Sequence, residues 1–146
     1  MYLIKDAEEG DLPIISELER ELFLNEAWSY FQILEEFKNK FSKIWVLKRE
    51  EEIIGYLIFR AINPEIEIFR IGIKKNYQKK GVGTQIMQKL IEFAKKENIS
   101  KIFLEVKVSN LPAYSFYKKL GFEEIYRRKN YYNNEEAIVM AKEIKA

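Results

Sequence analysis

Histidine and cysteine are both missing from this chain, and a large share of enzyme chemistry goes with them. Their absence excludes Ser-His-Asp and Cys-His nucleophiles, thiolate or imidazole metal sites and any acyl-cysteine intermediate. No metal is therefore expected. A catalyst of this composition must draw its acid and base from Glu, Asp, Lys, Tyr or water, and aspartate is scarce, with two against 21 glutamates. An excess of one charge sign is also lacking. With 25 Lys+Arg against 23 Asp+Glu the net charge is +2, which makes no case for nucleic acid. The pairs Lys74-Lys75, Lys79-Lys80 and Lys95-Lys96 are scattered rather than massed. No apolar run approaches the roughly 18–20 residues of a membrane span, so no membrane partner is expected. The N-terminus has no basic region followed by an apolar stretch, which makes a cytoplasmic location the expectation.

What is present is a balanced globular composition, 47% hydrophobic and 33% charged. At 146 residues the chain is expected to form a single domain, 1–146. Its Lys/Glu-rich, Cys-free make-up suits a hyperthermophile, and an AT-rich genome produces the same bias.

The elements follow from periodicity and punctuation. Residues 2–6 read as a strand. Asp11 is placed to cap a helix with Pro13 in its first turn and Ile14, Ile15, Leu18 and Leu22 on one stripe. Ser29-x-x-Gln32 is a capping-box pattern, opening a second helix through about Lys40 with Phe31, Leu34 and Phe37 inward. Ile44–Lys48 and Ile53–Ala61 read as strands around the turn Glu50-Glu51-Glu52. Asn63-Pro64 turns the chain into an alternating strand from Glu65 to Lys74. Val82, Ile86, Met87, Leu90, Ile91 and Ala94 recur at helical spacing, predicting a helix over Val82–Lys96. Lys101–Lys107 is a further strand, and Asn110 can cap a helix ending at Leu120-Gly121. Phe122–Arg127 and Ala137–Ile144 close the chain as strands around the loop Tyr132–Glu136. The order is β-α-α-β-β-β-α-β-α-β-β, a mixed α/β domain.

Between the alternating strand and the long helix stands Gln78-Lys79-Lys80-Gly81-Val82-Gly83-Thr84. Backbone N–H groups at a helix start cradle anions, glycines admit a diphosphate close to the backbone, and the lysines add charge at the rim. Gly-x-Gly alone is a weak signal, and a plain strand-to-helix loop with solvated lysines reads equally well. It is neither a P-loop nor a dinucleotide fingerprint. Taken with its strand and helix, however, the Gln-x-x-Gly-x-Gly segment resembles the pyrophosphate motif of the GCN5-related N-acetyltransferase (GNAT) superfamily, whose element order is similar along the whole chain. Leu104-Glu105-Val106-Lys107-Val108-Ser109-Asn110, Ala113, Tyr117, Leu120-Gly121-Phe122, Arg128–Tyr132 and Ala137–Met140, with Trp28-Ser29, look like the branch that acetylates ribosomal-protein N-terminal alanines.

The resemblance implies a central sheet, splayed at its fourth and fifth strands, with helices on both faces. It implies that Lys79, Lys80, Gly81, Val82, Gly83 and Thr84 hold the pyrophosphate of acetyl-CoA. Ile71, Gly72 and Ile73 would run beside the pantetheine arm, one N–H polarising the thioester carbonyl, and Asn110 would bond the same arm. Glu105 would be the general base and Tyr117 the general acid. From the residues alone, Glu105 beside Phe103 is a candidate for desolvation at a cleft, or else a surface carboxylate paired with Lys107 or Lys101. Glu67 is the rival base, because more distant superfamily members carry theirs on that strand. Tyr117 reads equally as core packing with Phe116 and Leu120. Tyr131 and Tyr132 are an aromatic hairpin edge by themselves, and by resemblance border the acceptor peptide. The implied activity is acetyl transfer to a protein or peptide N-terminus by direct attack, with a ribosomal protein among the candidate acceptors. The alternatives are a small-molecule amine or lysine side chain as acceptor, and a non-catalytic acyl-CoA-binding module on the same fold.

Overall fold

A computed structural model describes residues 2–130 and 135–145. Among them the chain forms β1 (Leu3–Asp6), α1 (Leu12–Phe23), α2 (Tyr30–Lys38), β2 (Ser42–Arg49), β3 (Glu52–Ile62) and β4 (Glu65–Ile73). Then come α3 (Val82–Lys96), β5 (Lys101–Lys107), α4 (Leu111–Lys119), β6 (Glu123–Asn130) and β7 (Glu135–Glu143), in the order read from the sequence. The strands build one sheet in the order β1-β2-β3-β4-β5-β7-β6. Helices α1 and α2 pack on one face, against Ile44, Val46, Tyr56 and Ile58. On the other face α3 and α4 pack against Trp45, Leu47, Leu57, Phe59 and the inward residues of β5. Strands β2 and β3 are thus covered on both sides, which is why their cores read as unbroken apolar runs instead of alternating. No helix among the described residues is long and apolar enough to cross a membrane.

The sheet splits where the site must lie. Strands β4 and β5 pair in parallel, yet only through Glu65↔Lys101, Ile66↔Ile102 and Glu67↔Phe103. Among the described residues, the edge of β4 that faces β5 has no strand partner beyond Glu67. A bulge accompanies the split: Ile58 opposes Arg70 and Phe59 opposes Ile68, so Phe69 is the extra residue. Ile66 and Ile68 therefore point to the α3 face before the bulge, and Ile71 and Ile73 point there after it. Phe69 packs on the α1–α2 face.

Local chemistry sets the helix ends. Ser29 accepts from the Gln32 N–H at 3.2 Å, and Gln32 accepts from the Ser29 N–H at 2.7 Å, a complete capping box. Asp11 does not cap α1; its carboxylate accepts from the Glu8 N–H and closes the short turn before the helix. Each expected buried face has one residue misplaced. Ile33, not Phe31, is the fully buried residue of α2, and Phe31 is 73% exposed. On α1 the buried apolar stripe is Leu12, Ile15 and Leu18, with Ile14 exposed. The rest of each expected stripe packs on this face as read, Ile15, Leu18 and Leu22 on α1 and Leu34 and Phe37 on α2; Ile14 and Phe31 are apolar neighbours outside the stripe that resemble members of it.

Candidate active site

A cleft of ≈ 660 Å³ opens on the α3 face. Its walls are Ile71 and Ile73 of β4, the loop and first turn of α3 (Gln78, Lys79, Gly81, Gly83, Thr84), and α4 with its cap, chiefly Asn110, Phe116 and Tyr117. Lys79 at φ 63° and Gly81 at φ 82° turn the chain sharply into α3. The Gln78 amide donates to the Ile73 carbonyl at 2.9 Å and fastens this loop to the end of β4. The first helical bond runs from the Gln85 N–H to the Gly81 carbonyl, which leaves the N–H groups of Val82–Thr84 without helical partners at the positive end of the dipole. Apart from its own chain neighbours, no described residue comes within 4 Å of the point a Cβ on Gly81 would occupy. A Cβ on Gly83 would stand 3.2 Å from the Phe116 ring, at the cleft wall. A cradle of free N–H groups, glycine surface and lysines fits a pyrophosphate, and the apolar trough beyond it fits a pantetheine arm.

The other predicted residues on this face divide. Gly72 faces away from the cleft and makes room for the Tyr56 ring, with which any Cβ would collide. The Val82 side chain is buried in the core. Lys80 extends outward over the Tyr77 ring. None of the three lines the walls, and what they can contribute is backbone or long-range charge. Asn110 caps α4, its side chain accepting from the Ala113 N–H at 3.2 Å, and it also borders the cleft. Tyr117 is 5% exposed, and burial raises its phenol above the ordinary tyrosine value, so it keeps its proton. Among the described residues nothing hydrogen-bonds its hydroxyl.

Through the split, the opposite face carries the carboxylates. Arg60, Glu67 and Phe103 form one cross-strand row over β3, β4 and β5, and with Ile62 and Glu65 they line a smaller pocket of ≈ 240 Å³. Burial, and next the charge of Glu105, raises the Glu67 carboxyl above its usual range. Glu36 of α2 is half-buried, which works against its charge. The Arg60 fork at 2.7 and 3.0 Å and the Ser42 hydroxyl outweigh that and hold it below the usual range. Glu105 shares the face of Phe103 and Lys107, as read from the alternation. It is not desolvated: its side chain is 39% exposed and pairs with Arg128 at 2.9 Å, not with Lys101 or Lys107. Lys107 instead pairs with Glu26, in the segment between α1 and α2. Tyr131 and Tyr132 lie outside the described residues.

Residues 8–122 match the model of the acetyltransferase (GNAT) family. This chain belongs to that family. It is 30% identical to an N-alpha-acetyltransferase of Sulfurisphaera tokodaii, over 96% of this chain and 92% of the relative. With the [ribosomal protein bS18]-alanine N-acetyltransferase of Haemophilus influenzae the identity is 31%, over 97% and 98%. The crystal structure of the ribosomal-protein-S18-alanine N-acetyltransferase from Escherichia coli superposes with a TM-score of 0.92 at 27% identity, covering all of this chain and 96% of that one.

Within this GNAT chain, sequence reasoning missed the β4 bulge, the Arg60–Glu36 clamp beneath the carboxylate pocket, and Phe116 as the neighbour of Gly83. The bulge did leave a trace. The isoleucines of β4 fall at 66 and 68, then at 71 and 73, a one-residue slip in a period of two. The clamp left none, since Arg60 and Glu36 are ordinary surface types 24 positions apart.

Proposed function

We propose that this chain transfers the acetyl group of acetyl-CoA to the α-amine of a protein N-terminus, by direct attack and without a covalent enzyme intermediate. The observation that carries the reading is the split sheet: a cofactor-sized cleft ending at Tyr117 meets, through the gap beside β4, a face bearing Glu67 and Glu105. The names of its relatives supply the acceptor class. Acetyl-CoA supplies a thioester carbonyl for the amine to attack and a thiolate that departs. Lys79–Thr84 hold its diphosphate, and Ile71, Ile73 and Asn110 border its arm. The edge of β4 past Glu67, lacking a strand partner among the described residues, offers an N–H to the carbonyl oxygen. Glu105, reached from solvent, accepts the amine proton directly or through water, and Tyr117 gives its proton to the sulfur. Arg128, 2.9 Å from Glu105, holds that carboxylate in place. A second assignment puts the base on Glu67, and its raised carboxyl in the pocket favours that choice.

The test is mass spectrometry of a peptide library incubated with the protein and acetyl-CoA. Acetylation at α-amines is expected. Free amino acids or polyamines acetylated far better than any peptide would leave only the family membership standing.

A further inference from the structure

Glu19 breaks the pattern of its own helix. Leu12, Ile15 and Leu18 define the buried stripe of α1, and position 19, four beyond Ile15, belongs to it by spacing. The residue there is a carboxylate, and it is fully buried, 0% exposed. An ionised group in that position is tolerated only with every acceptor site filled. It is filled from three directions. The Tyr56 hydroxyl donates to it from β3 at 2.5 Å. The Arg70 guanidinium donates from β4 through Nε at 3.1 Å and Nη2 at 2.7 Å. The Trp28 backbone N–H donates from the segment leading into α2 at 2.9 Å.

Each partner holds something at the site. Arg70 and Gly72 turn to the α1–α2 face while Ile71, between them, lines the cleft. Arg70 follows the bulge directly, and the Tyr56 ring fills the space that Gly72 leaves. The stretch Arg70–Gly72 is therefore held from behind by two side chains that meet on one carboxylate. On the other side, the segment from Leu24 to Trp28 crosses toward β5. Leu24 sits at φ 54°, a strained conformation for a leucine with 73% of its surface exposed. Besides the Trp28 bond to Glu19, the segment is fastened by the Glu26 carbonyl, which accepts from Arg70 at 3.4 Å, and by the Glu26–Lys107 pair beside Glu105. The Arg70 guanidinium also stacks 3.9 Å from the centre of the Phe23 ring.

We propose that Glu19 is a positioning residue, tying the Leu24–Trp28 segment, which reaches Lys107 of β5, to the Arg70–Gly72 stretch beside the cleft, so that the two keep one spacing. The proposal rests on the acetyl-transfer reading above and extends it to a residue that touches neither reactant. A change of about 1 Å in that spacing can cost on the order of 100-fold in rate.

Three variants test it: Tyr56→Phe, Glu19→Gln and the double variant Glu19→Gln/Arg70→Met. Each is measured for folded fraction, for CoA affinity by calorimetry, and for kcat and both KM values by CoA release with a peptide acceptor. Tyr56→Phe keeps the ring over Gly72 and removes one bond to Glu19, so it stays folded. We expect its kcat to fall about 10- to 100-fold with CoA affinity unchanged. Glu19→Gln leaves Arg70 unpaired and loses stability, which the double variant recovers by removing the stranded charge. Its kcat stays low despite the recovered fold. Wild-type kcat in folded Tyr56→Phe overturns the proposal, as does a kcat that returns with stability in the double variant. A loss of kcat matched by an equal loss of CoA affinity also overturns it. Should the double variant not fold, the Tyr56→Phe result decides alone. Failure of the unaltered protein to turn over any peptide is a different result, and it sinks the functional reading itself.

Discussion

Glu67 and Glu105 project from the same face of the sheet on neighbouring strands, and the strands part between them. Glu67 stands in the last paired row, opposite Phe103, and Glu105 lies two residues further along β5, past the split. The closed side of the split is the drier one, so Glu67 bears the cost of burial while Glu105 keeps solvent and Arg128.

That cost predicts a pH-dependent stability. The Glu67 carboxyl is raised in the folded chain, so the folded state holds its proton more tightly than the unfolded state does. The favourable contribution is complete below the ordinary carboxylate range and is lost as pH rises through the folded value. Glu67→Gln removes a titration that opposes folding at neutral pH. Its thermal midpoint should exceed that of the unaltered protein at pH 7, with the advantage vanishing near pH 4. Melting curves across that range check the sign, and a variant less stable at every pH refutes the burial argument.

Gly83 allows a direct test of the cofactor cradle. The fold itself leaves little room there, since a Cβ would stand 3.2 Å from the Phe116 ring. Gly83→Val pushes either on Phe116 or into the cleft, an overpacking typically worth about 1–3 kcal/mol. Charged to the bound state, that is roughly 5- to 150-fold weaker binding. Calorimetry with CoA should show a loss in this range, with the circular dichroism of the folded chain retained. Unchanged affinity would remove the pyrophosphate from this loop.

Tyr117 is the best-defined chemical group in the cleft: buried ring, raised phenol, and a hydroxyl that no described residue engages. Tyr117→Phe should therefore leave stability and CoA affinity almost unchanged. As a general acid its loss lowers kcat by about 10²–10⁴-fold. Steady-state kinetics beside CoA titrations separates the roles. If the variant retains full kcat, Tyr117 serves packing only.

How far the site could be read from the sequence depended on whether a residue's role is local. The Ser29/Gln32 box, the Val82–Lys96 helix and the Asn110 cap each depend on neighbours within four positions, and each formed as read. The cleft was legible because Gly81, Gly83, Asn110 and Tyr117 lie in recognisable local contexts. Partner choice was not. Glu105 pairs with Arg128 across an intervening strand, and Glu19 meets Tyr56 and Arg70 from 37 and 51 positions away. Only the sheet order brings such groups together. Glu19 was nonetheless visible as an anomaly, a charge on an apolar stripe, and its burial shows that such an anomaly repays scrutiny.

The assignment of the base is the last prediction. Both carboxylates border the split, and burial alone argues for Glu67, since a raised carboxyl accepts a proton more readily near neutral pH. Access and position argue for Glu105, which lies nearer the open end of the gap beside β4, where an amine would approach the thioester. An N-terminal α-amine has an unperturbed pKa of about 8, so a fraction of the acceptor is already neutral at pH 7.5 and the base is asked for modest help. Glu105→Gln should lower kcat by about 10²-fold or somewhat less at pH 7, and the deficit should shrink as pH rises and the acceptor loses its own proton. Glu67→Gln should retain most of kcat throughout, its effect falling on stability. Measured as one pH series with the same peptide, the two variants give opposite outcomes under the two assignments. If Glu67→Gln loses activity and Glu105→Gln keeps it, proton acceptance moves to β4. Glu105 is then left as the partner that holds Arg128 on the acceptor face.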